Sequence, residues 1–424
     1  MTYGEILEHI YGLRRFGIRP GLGRISALLD TLGNPQHRLR VIHVAGTNGK
    51  GSTAAFLASI LVAGGYRTGL FTSPHLISFT ERLRINGTEI SEEAVCSLAG
   101  RVLAAAPEGT TFFEIVTAMG LLHFAEEAVD AVILEAGMGG GSDATNAASG
   151  ILTVMTPVAL DHCEWLGETL TAIAREKAGI CKPGWPVVMA GQSPEVHEVI
   201  RERCRELRSP LRCFGSDFSA CWQEGGLVYR GMGRTLDGLN PGIGGRYQAI
   251  NAATALAAAE LLDADGFPLS DAAFRLGIEE ARWPGRMELV AGPPRVLLDG
   301  AHNHAGACAL AESLADVPRR RLIVVAGIMG DKDAGGILSP LLPLSDEVVA
   351  VTPAVERGLP AAKLAAFCRG RGVAALDGGT VPSGLALACE RAETADLVLV
   401  CGSLFTVGEA RAALLARRFE PFRG

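Results

Sequence analysis

Apolar residues recur along the chain in two patterns. Short runs rich in β-branched residues, each closing on glycine or a polar cluster, predict buried strands: LRVIHVAG from Leu39, AVILEAG from Ala131 and ILTVMTP from Ile151. Between them lie longer stretches with apolar positions at helical spacing. SEEAVCSLAGRVLAAA opens on a Ser91 cap with acids in its first turn, and FFEIVTAMGLLHFAEEA keeps the same period. Alternation of the two patterns predicts an α/β fold with a largely parallel sheet. From about Pro194 to Gly245 short candidate strands such as LVYRGMG stand among many glycines and predict a small β-rich excursion. After the turn-like RWPGR at Arg282 a second series begins: RVLLDGAHN, RLIVVAG, EVVAVTP, VAALDGG and DLVLVCGS, separated by helical stretches such as AGACALAESLA and PAAKLAAFCRG. These five units predict a smaller, Rossmann-like open α/β domain of roughly 140 residues. The boundary falls near Met287, giving domains 1–287 and 288–424.

In open parallel sheets, ligands bind beyond the carboxyl ends of the strands. Here those ends carry Gly46 to Ser52, Glu135, Asp161-His162, Asp299 to Asn303 and Gly402-Ser403. Polar clusters at the edges of two sheets predict a reaction in a cleft between domains.

The first of these ends reads VIHVAGTNGKGSTAAFLASIL from Val41. The common phosphate-loop spelling is G-x-x-x-x-G-K-[ST], yet its first glycine falls on Val44 and Gly51 follows the lysine. Ser52 and Thr53 come one place late. The physics survives, because an apolar strand feeds a glycine-rich turn that opens a helix. Backbone N–H groups there can cradle phosphate oxygens, with Lys50 as a point charge and the helix N-terminus favouring the anion. The first domain is therefore expected to be a P-loop, nucleotide-binding one.

Composition narrows the class. At 424 residues the length predicts roughly two to three domains. A hydrophobic content of 48% with 20% charged residues describes a globular chain without a membrane span. The net charge of -7 argues against general nucleic-acid binding. The start, MTYGEILEHIYGLRRFG, carries early acids and no signal-peptide pattern, which predicts a cytoplasmic location. Ten cysteines without C-x-x-C pairs or zinc spacing predict reduced thiols, none of them catalytic.

Other candidates are open on their residues alone. Glu135 ends a buried strand and needs a cation or several donors: magnesium beside a nucleotide is one answer, a loop-bonding carboxylate another. Asp143 and Asn146 in SDATN read equally as turn and cap residues. His162 follows a strand and Lys177 sits on an apolar helix, and each suits a structural role as well as a chemical one.

Taken in order, HVAGTNGKGS, FTSPHL, LEAGMGG with DATN, LDHCEWLGETLTAIAREKAGI, QAINAATALAA, RWPGRME, LDGAHNHAGA, GIMGDKD and CGSLF resemble the folylpolyglutamate and dihydrofolate synthase branch of the Mur-type ligases. GIRPGLGRI from Gly17 resembles that branch's pterin-side segment. The resemblance implies that Thr47, Asn48, Gly49, Lys50, Gly51 and Ser52 hold ATP phosphates, with Asn251, Arg286 and Asp299 also on the nucleotide. It implies magnesium at two sites held by Ser73, Glu135, His162 and Lys177, with a monovalent cation as an optional third. Lys177 matches a lysine carried as a carbamate, and Lys50, Lys177 and His302 are the implied catalytic residues. Thr111, Phe113, Glu114 and Asp143 match segments that contact a pteroate. The implied reaction joins L-glutamate to dihydropteroate or a reduced folate by way of an acyl phosphate, in a monomer without nucleic-acid or membrane partners. Two departures stand out: Gly141-Ser142 where many relatives carry a basic residue, and Tyr247 where a histidine is common.

Overall fold

The structure is a computed structural model that describes residues 2–13 and 21–421. The start of GIRPGLGRI, at 17–20, lies outside the described residues. Two compact units result: Met1–Pro74, Thr80–Gly242 and Gln248–Arg282 form the first, and His75–Phe79, Ile243–Tyr247 and Trp283–Gly424 the second. A division at Met287 leaves the two short segments of the second unit in the first domain.

The first unit is built on an eight-stranded sheet of β1 (Val41–Ala45), β2 (Thr68–Phe71), β3 (Leu83–Ile85), β4 (Thr88–Glu89), β5 (Ala131–Glu135), β6 (Gly150–Met155), β7 (Val187–Met189) and β8 (Leu211–Cys213). Its order is β4-β3-β2-β5-β1-β6-β7-β8. From β2 to β8 neighbouring strands run parallel, while β3 and β4 fold back antiparallel at one edge. All five residues of β1 and of β5 are buried, the signature of strands covered on both faces. Val44 pairs with Glu135 and Ala45 with Met155, so the carboxyl ends of β5, β1 and β6 lie side by side. Three loops therefore leave the sheet at one edge.

The β-rich excursion is narrower than 194–245. Pro194–Leu207 is a helix, because Val196, Ile200 and Cys204 recur every fourth residue among charged ones and are buried, with proline in the first turn. Only β9 (Ser219–Gln223), β10 (Gly226–Arg230) and β11 (Thr235–Leu239) form the antiparallel excursion.

The second unit's sheet contains β12 (Glu288–Val290), β13 (Arg295–Leu298), β14 (Leu322–Ala326), β15 (Glu347–Thr352), β16 (Ala375–Thr380) and β17 (Leu397–Cys401), in the order β12-β13-β17-β14-β15-β16. The five strands read from sequence are present and parallel. An edge strand, β12, is added antiparallel to β13; its three residues are too few and too exposed to stand out as a periodic run.

In the first unit the helix Lys50–Ala63 packs against Gln248–Ala264 and Asp271–Glu280. The last contact is close because Gly277 faces the Ile60 backbone, where an added Cβ would overlap the Ile60 Cα. Gly277→Ala is expected to destabilise the unit by about 1–3 kcal/mol through overpacking. Gly100→Ala, in a helix with open space around it, is expected to stabilise by about 0.4–1 kcal/mol. Thermal unfolding midpoints that move in opposite directions check the pair; equal shifts would remove the packing argument.

Candidate active site

The loop after β1 is shaped by what two glycines permit. Gly46 has φ +149°, and a Cβ on it would overlap the Thr156 hydroxyl and come 2.7 Å from the Thr156 carbonyl oxygen. Gly49, at φ +85°, caps the helix Lys50–Ala63 in the left-handed region and lies against the Asn251 amide. The β6 loop pins the turn: Thr47 and Asn48 N–H both donate to Pro157 O, at 2.9 and 3.1 Å. The Thr47 hydroxyl donates to Ala159 O and accepts from Ala159 N, at 3.0 and 3.1 Å. Thr47 is thus an anchor of the loop, engaged through both hydroxyl and amide. Lys50 Nζ folds back to donate to Thr47 O at 3.1 Å. Ser52 is buried and accepts from Gln248 Nε2 at 3.3 Å, and Gln248 Oε1 accepts from Asn251 Nδ2 at 2.8 Å.

The β5 and β6 loops bring the next groups to the same edge. Glu135 is buried and accepts from the Ser73 N–H at 3.2 Å. Asp161 is buried beside His162, whose N–H it accepts at 2.9 Å; His162 adopts φ +52° and leaves its ring about half exposed. Lys177, on the helix Leu170–Ala178, is only 5% exposed and donates from Nζ to Gly46 O at 2.8 Å. Burial, and then the positive charge of Lys50, press its amine down to about 7 against the pull of Asp161, Asp143 and Glu176. An amine that is half neutral near pH 7 is a nucleophile; an ordinary lysine is not.

Helix and loop are bound together through glycine. Gly141 N donates to Glu176 O at 2.8 Å, and the Ser142 N–H and hydroxyl donate to Glu176 Oε1 at 3.0 and 2.5 Å. The departure at Gly141-Ser142 thus supplies partners for an acid next to Lys177.

The pteroate candidates first serve their own backbone. Thr111 and Glu114 form a capping box on the helix Phe112–Glu126, with Arg24 Nε 3.2 Å from the Glu114 carboxylate. Asp143 accepts from Met138 N at 2.8 Å and from the Thr145 N–H and hydroxyl at 3.0 and 2.5 Å. Burial raises its pKa. Thr145 in turn lies 2.8 Å from His43 Nε2, and burial holds His43 neutral with a pKa of about 3. Phe113 is partly exposed, its ring against Gly137 and edge-on to Phe71 at 6.1 Å.

In the second unit, Asp299 is buried at the end of β13. Its carboxylate accepts from the Tyr247 hydroxyl at 2.8 Å, Met287 N at 3.0 Å and Ala301 N at 2.9 Å. Arg286 lies close by, since a Cβ on Gly300 would come 2.7 Å from its Nη1. His302 Nδ1 and Gly300 O are 2.8 Å apart. Tyr247, the second departure, holds the acid that this loop is built around.

Asp161 and Gln248 stand inside the quoted motifs but carry no role in the assignments drawn from them. Asp161 is visible in sequence as an acid beside His162, and Gln248 stands one helical turn before Asn251. No group of three or more His, Cys, Asp or Glu able to hold a metal occurs among the described residues. Magnesium does not require one: it takes one or two protein oxygens and completes its shell with phosphate and water. Glu135, Ser73 and Ser52 supply oxygens of that kind at the loop's edge, so the residues fit the ion.

Residues 44–259 match the Mur ligase middle domain and 285–404 the Mur ligase glutamate ligase domain. The dihydrofolate synthase/folylpolyglutamate synthase of Bacillus subtilis is 40% identical over 78% of this chain and 80% of its own. The chain spans about half the length, 51%, of a probable bifunctional folylpolyglutamate synthase/dihydropteroate synthase of Halobacterium salinarum, at 36% identity over 97% of this chain. Among solved structures, Escherichia coli FolC in complex with DHPP and ADP superposes with a TM-score of 0.89 at 35% identity, covering 97% of this chain and 98% of that one. The Yersinia pestis bifunctional folylpolyglutamate synthase/dihydrofolate synthase complexed with AMPPNP and Mn ion gives 0.89 at 36%, covering 98% of each. The chain belongs to the folylpolyglutamate synthase/dihydrofolate synthase family of Mur-type ligases.

Proposed function

We propose that the protein is an ATP-dependent ligase that adds L-glutamate to dihydropteroate, making dihydrofolate, and to the γ-carboxylate of reduced folates. The observation that carries this reading is the meeting of the glycine-tight loop and Lys50 with the buried amine of Lys177, which reaches the loop's own Gly46 carbonyl. Nucleotide, divalent metal and DHPP in the related complexes support it.

A carboxylate is a poor acyl donor, because its leaving group would be oxide. Transfer of the γ-phosphoryl group of ATP to it gives an acyl phosphate and ADP. The neutral amine of glutamate then attacks the carbonyl, and the tetrahedral intermediate loses phosphate and one amine proton, which leaves with the phosphate or passes to water, to give the amide. Lys50 and the N-terminus of the helix Lys50–Ala63 offset charge on the phosphoryl oxygens. When bound, magnesium adds to that neutralisation, held by Ser73, Glu135, His162 and Ser52. No side-chain nucleophile is needed. Arg286 and Asp299 are assigned to the nucleotide, His302 to the reaction, and Phe113 to the aromatic part of the acceptor.

Lys177 is assigned a carbamate. Its neutral amine adds to carbon dioxide and releases a proton, converting a cation that repels metal into an anion that orients one. The protein is read as a cytoplasmic monomer without nucleic-acid or membrane partners. Ten free cysteines suit a reducing compartment, and no helix among the described residues is long and apolar enough to cross a membrane.

With MgATP and L-glutamate, mass spectrometry is expected to find one added glutamyl residue on dihydropteroate and on tetrahydrofolate, with matching ADP. ADP release without a mass gain on either acceptor overturns the reading. Lys50→Ala is expected to lower kcat by about 10²–10³-fold while the fold, followed by circular dichroism, is kept. Neutral amine increases as pH climbs through 7, so uptake of ¹³C-labelled carbon dioxide by metal-free protein, at fixed dissolved gas, should rise between about pH 6 and 8. Lys177→Ala is expected to lose the carbamate carbon signal and most activity, and full activity in that variant removes the proposal.

A further inference from the structure

His43 is the only polar residue of β1. It pairs in register with Leu134 of β5 and Thr153 of β6, inside the first unit's sheet, and is fully buried. An imidazole there costs more than an aliphatic side chain unless its ring atoms are used. Burial, and then the charge of Lys182, keep the ring neutral, so it carries one proton on two nitrogens.

The neighbours decide where that proton sits. His43 Nε2 lies 2.8 Å from the Thr145 hydroxyl, itself fully buried, and that hydroxyl stands 2.5 Å from Asp143 Oδ1. A hydroxyl has a single proton, and an ionised carboxylate only accepts. The Thr145 proton therefore goes to Asp143, and His43 Nε2–H donates to the Thr145 oxygen. Nδ1 is left as the bare nitrogen, buried and without a hydrogen-bond partner. The chain runs one way, from N–H to O–H to carboxylate, so each bond polarises the next.

The turn Ala144–Ala147 is held independently at its other side. Lys182 Nζ donates to Asn146 O and Oδ1 at 3.2 and 2.7 Å, and Asn146 Nδ2 donates to Gly141 O and Gly179 O at 2.9 and 3.3 Å. Replacing His43 thus takes a donor from Thr145 without releasing the turn. With no water at the buried hydroxyl, its hold on Asp143 Oδ1 loosens.

We infer that His43 is a positioning residue for the acceptor: through Thr145 it fixes the direction of the Asp143 carboxylate. The inference rests on the assignment of Asp143 to the pteroate acceptor. The imidazole itself touches no substrate.

The test is steady-state glutamate addition to dihydropteroate, with unfolding midpoints, in wild-type protein, His43→Leu, His43→Gln, Thr145→Val, the double variant His43→Leu/Thr145→Val, and Asp143→Ala. His43→Leu and Thr145→Val are each expected to raise the KM for dihydropteroate at least about fivefold, with the KM for ATP within about twofold of wild type. His43→Gln, whose amide can donate to the same oxygen, should recover most of the loss. The double variant should cost no more than the costlier single one, because either change breaks the same chain. The unfolding midpoint of His43→Leu should hold or rise, since an unpaired ring nitrogen leaves the core. An unchanged dihydropteroate KM in His43→Leu overturns the inference, as does a KM for ATP that rises as far. Asp143→Ala separates the two ideas: if it raises the dihydropteroate KM and neither His43→Leu nor Thr145→Val does, only the role of His43 fails. If Asp143→Ala leaves that KM unchanged, the acceptor assignment falls and the inference with it.

Discussion

The site in the first unit depends on how closely two backbones approach at Gly140 and Gly141. A Cβ on Gly140 would lie 2.5 Å from Lys177 O, 2.6 Å from Glu176 O and 2.7 Å from Lys177 Cα. Gly179 meets Gly141 in the same way, its added Cβ 2.7 Å from Gly141 N. Only residues without side chains let the β5 loop lie flat on the helix Leu170–Ala178, and only that contact lets Gly141 N reach Glu176 O. The amine of Lys177 is carried inward to the Gly46 carbonyl as a result. A side chain at Gly140 or Gly179 would meet backbone and push the loop and the helix apart, loosening the burial that holds the lysine's pKa down.

That placement has a thermodynamic cost with a definite sign. Lysine ordinarily titrates at 10.5, and here at about 7, so between those values the unfolded chain holds a proton that the folded chain has released. Stability at this position therefore rises with pH across that window, and the penalty is greatest below pH 7. Asp161, Asp143 and Glu176 reduce the penalty without cancelling it. A fold selected for stability alone would replace the lysine with an apolar residue; retaining it makes sense where a neutral amine or its carbamate is used.

The parallel strands are legible in the sequence because each is a short, continuous apolar run, and burial on both faces demands nothing subtler. The helix at Pro194–Leu207 is readable in principle, but its three buried residues are diluted by charges, and the glycine-rich strands after it mask its period. Within the site, resemblance names the residues without distinguishing contact from support. TFFE is a T-x-x-E capping box and SDAT an aspartate turn, and both signatures are present in the sequence before any ligand is considered. Thr47 is similar: its place in the loop suggests phosphate, whereas its hydroxyl bonds to Ala159, a partner 112 residues away that no local pattern could supply. Long-range hydrogen bonds of this kind are set by strand order, and strand order is not written in the spacing.

The chain passes from one unit to the other at Pro74-His75, Phe79-Thr80, Gly242-Ile243, Tyr247-Gln248 and Arg282-Trp283. Candidate site residues crowd these junctions. Ser73 stands just before the first, Gln248 begins the helix immediately after the fourth, and Arg286 follows the fifth by a few residues. Tyr247, the last residue of its short segment, is fastened to Asp299 by its hydroxyl, and the next residue is the one that holds Ser52 and Asn251. Adjacent residues of the chain thus make their hydrogen bonds in different units, Tyr247 to Asp299 in the second and Gln248 to Ser52 and Asn251 in the first, an arrangement that strand interiors such as β1 and β13, each inside one core, do not offer.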